Sequence, residues 1–162
     1  LILDLLANAR RRMDEQRWDD ATARLYRAIE ATAQLLLAER GIQDTGSVPL
    51  EKIPEPLRTE FAPRAEAGHV KLGLQEAWHV LKYLDEQAAD PFFDANLDDQ
   101  KKSPLTARNQ SILAHGFAPA SKENTRHLLV AALAALGATE AELPVSPLAG
   151  LEIPGATPLG KR

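Results

Sequence analysis

The chain has 162 residues, 44% hydrophobic and 26% charged, the balance of a soluble globular protein long enough to bury one sizeable core. A formal net charge of −4 excludes a global positive field for nucleic acid, and the lack of cysteine excludes disulfides and thiol catalysis and fits a reducing, cytoplasmic setting. No apolar run reaches bilayer-spanning length, so no membrane partner is expected, and no signal peptide is evident.

The opening "LILDLLANARRRMDEQRW" places apolar residues at 2, 5, 6, 9 and 13, the spacing of one helical face. It has no initiating Met, which reads as a piece of a longer protein or a chain whose first residues are missing. "WDDATARLYRAIEATAQLLLAERG" gives the clearest helix, with Trp18, Ala21, Leu25, Ile29, Thr32 or Ala33, and Leu36 recurring at three- and four-residue steps. Asp19 and Asp20 suit its start and Gly41 its end. Between 42 and 70, Pro49, Pro54, Pro56, Pro63 and Gly68 break any long helix, and loop with one or two short turns is expected.

Helix resumes over "KLGLQEAWHVLKYLDEQA", where Leu74, Trp78, Leu81 and Leu84 point inward, and "DPFFDANLDDQKK" reads as a connector with an aromatic pair. In "SPLTARNQSILAHG", Ser103 suits an N-cap, Pro104 the first helical position and Gly116 the residue after the end, which predicts a helix over 104–115. A last helix, "SKENTRHLLVAALAALG", follows a Ser121 cap and buries Leu128, Leu129, Ala132, Leu133 and Leu136. No segment alternates with period two and no repeat is present. The expectation is an all-α bundle of four to five helices over residues 1–137, followed by an extended Pro- and Gly-rich tail over 138–162.

The chemistry-bearing stretch is "RNQSILAHG". Seven helical residues turn about 700°, so Arg108 and His115 share a face, about 10.5 Å apart along the axis, with Ser111 and Ile112 between them and Asn109 beside Arg108. These residue types suit metal-free RNA cleavage. The ribose 2′-OH is the nucleophile, His moves protons near neutral pH, and Arg offers fixed charge and a fork of donors to phosphate. The pattern is loose, however. The chain holds a second match, Arg64 and His69 in "RAEAGH", in a Pro- and Gly-broken stretch that aligns nothing, and this one is taken as the decoy.

Charge adds a second signal. Between residues 100 and 130 the bases are Lys101, Lys102, Arg108, Lys122 and Arg126 and the acid is Glu123, five against one for +4, which leaves −8 for the rest of the chain. A local basic region in an acidic protein is what a phosphate-binding cleft needs, although solvated loop and cap residues would give the same count.

"RNQSILAHGF" resembles the R-x(4–6)-H signature of HEPN domains, with Asn after the Arg. "WDDATARLYRAIEATAQLLLAERG" resembles the long N-terminal helix of HEPN domains in CRISPR-associated CARF–HEPN proteins. The resemblance implies a dimerising helical domain in which two Arg-bearing helices meet to form one composite ribonuclease site, with Arg108, Asn109 and His115 matching the motif. It also implies control by a CARF domain that senses cyclic oligoadenylate, of which these residues show no sheet-like counterpart.

The function expected is a metal-independent endoribonuclease domain for single-stranded RNA, active as a homodimer and without a cofactor. Lys101, Lys102, Ser111, Lys122 and Arg126 are expected to bind RNA. The alternatives are a non-catalytic helical dimerisation or binding module, and the HEPN toxin of a toxin–antitoxin pair. Trp18 and Trp78 are expected as core anchors, and His79 and His127 as structural or surface residues. His69, Asp19–Asp20 and Asp98–Asp99 lack a metal-ligand pattern, so no metal is expected.

Overall fold

Ala21, Leu25, Ile29, Ala33 and Leu37 recur at four-residue steps, and every one is buried. They are the spine of α2 (Trp18–Glu39), the long helix on which the rest of the molecule is assembled. The computed structural model describes residues 1–99, 103, 105 and 120–143. Around α2 pack α1 (Ile2–Asp14), α4 (Leu74–Leu84) and α6 (Lys122–Ala135), while α5 (Glu86–Asp94) joins α4 to α6. The result is the all-α bundle the periodicity predicts. The buried row of α2 follows four-residue steps to Leu37 and leaves Leu36 only partly covered.

Residues 42–70 hold more structure than their prolines suggest. A two-residue antiparallel ribbon pairs β1 (Val48–Pro49) with β2 (His69–Val70), and α3 (Glu55–Phe61) lies between them with Pro56 in its first turn. Pro at that position sacrifices a donor with no intrahelical partner anyway. Val48, Ile53, Phe61, Val70 and Leu72 are all buried, so this region caps the core.

The helix expected over 71–88 instead begins at Leu74 and breaks at Asp85. Asp85 is extended (φ −158°, ψ 93°) and its Oδ1 accepts the Ala88 N–H at 3.1 Å, so one residue ends α4 and caps α5. The first five residues of the stretch read as an aromatic connector, 90–94, are therefore helix, while the described residues after them are turn and irregular chain. Phe92 is fully buried and stacks on Trp78, ring centroids 4.7 Å apart and planes within 6°. Leu84, expected inside, is 40% exposed, because the break at Asp85 releases the last turn from the core.

Four helices end alike. Gln16, Gly41, Asn96 and Gly137 each have positive φ, and in each case this residue's N–H and the next return to the last turn, at 2.8–3.2 Å. This is the Schellman arrangement. Glycine meets its conformational demand without cost at Gly41 and Gly137, whereas Gln16 (φ 59°) adopts the left-handed region with a full side chain. Past Gly137 the chain continues through a 3₁₀ turn, Glu140–Glu142, to Leu143, which is buried in the same core.

Candidate functional site

Arg108, Asn109 and His115 lie outside the described residues, as do Lys101, Lys102 and Ser111 and the predicted 104–115 helix apart from Leu105. The described residues on either side show how the chain enters and leaves that stretch. Ser103 is buried, its hydroxyl donates to the Leu97 carbonyl at 2.9 Å, and it accepts the Leu105 N–H at 3.1 Å. That second bond is the N-cap contact expected of Ser103, and Leu105 itself is buried and helical. On the far side, the Ala120 N–H donates to Asp19 Oδ1 at 3.0 Å, and Ser121 caps α6 by accepting the Asn124 N–H at 3.1 Å.

Asp19 and Thr22 of α2 meet Ala120 and Thr125 at the start of α6, so the two helices begin side by side. The Thr22 and Thr125 hydroxyls lie 3.0 Å apart in a buried setting, and Thr125 also donates to the Ser121 carbonyl at 2.8 Å. Buried hydroxyls satisfied in this way fix the relative position of the helices, because separation would strand both. Asp19 thus serves to hold the backbone that leads out of the candidate catalytic stretch.

Of the residues expected to bind RNA, Lys122 and Arg126 are described. They stand one turn apart on α6, both exposed, and line one cleft of about 690 Å³. Arg10, Met13 and Asp14 of α1, Gln16 of the α1–α2 turn, Trp18 at the start of α2, and Glu140 also line it. Trp18, expected as a core anchor, is only half-buried and faces this cleft, because it is the first residue of α2 and its apolar stripe starts at Ala21. Arg10 Nη1 lies 3.4 Å from the Glu140 carbonyl and 3.9 Å from its Oε2. Neither Lys122 nor Arg126 makes an ion pair among the described residues.

The second Arg–His match is accounted for by local structure. Arg64 pairs with Glu76 at 2.5 Å and lies 4.6 Å from the Phe61 ring centre, while exposed His69 contacts the Ala67 carbonyl through Nδ1 at 3.1 Å. His79 is exposed and meets the Phe93 ring edge-on at 5.2 Å. His127 lines a separate groove with Asn96 and Asp99. Among the described residues, no three His, Asp or Glu side chains gather as a metal site would require, and no helix is long and apolar enough to cross a membrane.

Arg10, Gln16, Trp18 and Glu140 were not legible as cleft residues, since they come from three separate stretches that only the packing of α1, α2 and α6 joins. A family model described as the Csm6 HEPN domain matches residues 1–136. No curated protein and no solved structure matches the chain.

Proposed function

Because this chain belongs to the Csm6 HEPN domain family, and so has a ribonuclease-type function, we propose that it is a metal-independent endoribonuclease domain acting on single-stranded RNA through Arg108, Asn109 and His115. What carries the reading is that the family match spans residues 1–136 and so contains the whole "RNQSILAHG" stretch. In this reading the substrate's 2′-OH attacks the adjacent phosphorus and gives up its proton to a His115 imidazole. Arg108 holds the non-bridging oxygens as negative charge accumulates, and Asn109 orients the phosphate. The bond from phosphorus to the 5′ oxygen breaks, and that oxygen takes a proton from a second His115. The products are a 2′,3′-cyclic phosphate and a 5′-hydroxyl.

With His115 as both base and acid, the two roles fall to two copies of the chain. Within one helix Arg108 and His115 would lie about 10.5 Å apart, so a twofold pair gathering two of each around one groove is the economical site. Lys101, Lys102, Ser111, Lys122 and Arg126 bind the strand. Control by cyclic oligoadenylate through a CARF domain outside these residues belongs to the same reading, as does a cytoplasmic role in antiviral defence. The test is cleavage of a fluorescent RNA by Arg108→Ala and His115→Ala proteins of matched thermal stability. Each is expected to lose about 10²- to 10⁴-fold in rate. Activity per subunit is also expected to fall on dilution as light scattering reports monomer. Wild-type rates in both variants, or a fully active monomer, overturn the composite site.

A further inference from the structure

The cleft between the α1–α2 turn and the start of α6 combines features that separately mean little. Its volume of about 690 Å³ falls within the range of roughly 300–1,000 Å³ typical of small-molecule sites. Met13 and Leu129 supply apolar surface, and half-buried Trp18 supplies an aromatic ring fixed at a helix start. Glu140 is occupied by Arg10. Lys122 and Arg126 carry two exposed positive charges without an ion partner among the described residues, against the single carboxylate of Asp14. Trp18 also adjoins Asp19, which holds Ala120, so the cleft opens where the chain returns from the Arg108–His115 stretch.

We infer that this cleft is a subsite for one nucleotide of a single-stranded RNA, with the base against Trp18 and the adjoining phosphate between Lys122 and Arg126. The identity of the strand rests on the ribonuclease reading above. The chemistry of the cleft, a flat heteroaromatic ring joined to an anion, does not. Base–aromatic stacking tolerates any sequence, and a single charged pair alongside it tracks the backbone. The subsite anchors the strand beside the reacting phosphate and leaves the chemical step to the 108–115 stretch, so it acts on affinity for RNA and on KM.

The test uses the full chain in EDTA with a non-cleavable 2′-O-methyl oligonucleotide. Affinity is read by anisotropy of the labelled strand, and Trp18 by tryptophan emission. Binding should quench the emission of the wild type. Trp18→Ala should weaken affinity by about 5- to 150-fold, the worth of one stacked base, and Trp18→Phe should restore most of it while removing the quench. Because Trp18 also packs, the exposed pair Lys122→Gln/Arg126→Gln is the second variant, and it should lower the slope of log affinity against log salt by about 0.7, the share of one phosphate. Wild-type affinity and slope in Trp18→Ala and in the double variant overturn the subsite, as does a wild type that binds no oligonucleotide. Quenching by AMP alone at the same concentration overturns the assignment to a strand. A chain that binds through Trp18 but cuts no RNA keeps the subsite and loses the ribonuclease reading. A chain that cuts RNA with affinity indifferent to these residues does the reverse.

Discussion

The two ends of α2 use charge in opposite ways. At its C-terminal end Arg40 donates to the Leu36 carbonyl at 2.7 Å and pairs with Asp85, whose other oxygen caps α5. There the charges are spent on joining α2 to α4 and α5. At the N-terminal end the structural work is done by Asp19 and the Thr22–Thr125 pair, while Arg17 and Arg24 pair with Asp20. Lys122 and Arg126 stand beside these contacts with no ion pair among the described residues. One end of the helix is therefore a joint, and the other is a surface held in place with cations to offer. The fold can lose charge from the second without losing its packing, since exposed charges add little to stability.

That contrast is open to challenge from both sides. The largest effect belongs to the core behind the joint. Trp78→Ala removes a fully buried ring stacked on Phe92, and a loss of about 3–5 kcal/mol is expected from urea denaturation. RNA affinity measured where the variant is still folded should be unchanged, and a parallel fall in affinity would erase the distinction between the ends. A smaller effect belongs to Asp85→Asn. The Arg40 guanidinium first, and then the Ala88 N–H, hold the Asp85 carboxyl below the ordinary aspartate range. A depressed native pKa contributes stability that is complete above the unfolded value near 3.9 and is lost as pH falls through the native value. The wild type should therefore exceed Asp85→Asn in urea midpoint at pH 7. The difference should shrink as pH drops below about 4, and a constant difference across that range would show that Asp85 acts without its charge.

Much of the fold was legible because helical periodicity and end signals agreed. The α2 stripe, the Ser103 and Ser121 caps and the stop at Gly41 each follow from residues within one turn of one another. What was not legible depended on distant partners. The stretch from Asp90 reads as a connector, yet Phe92 stacking on Trp78 and the Asp85 cap support a helix that runs through Pro91. Left-handed ends at Gln16 and Asn96 were hidden, because neither residue demands that conformation as glycine permits it. For the site, the Arg–His spacing and the local basic count were visible in sequence, and the decoy at Arg64 and His69 was separable only by its broken context. The wall supplied by Arg10 and Trp18 arises from packing and has no local pattern.

Cleavage by 2′-OH attack at the 108–115 stretch is tested most directly with a DNA strand carrying one ribonucleotide, incubated in EDTA with wild-type and His115→Ala proteins. The expected result is one wild-type cut, 3′ to the ribonucleotide, leaving a 2′,3′-cyclic phosphate detectable by mass spectrometry. His115→Ala should show at least about a hundredfold slower reaction. A cut at a deoxynucleotide, a strict requirement for added divalent metal, or an undiminished rate in the variant would contradict it.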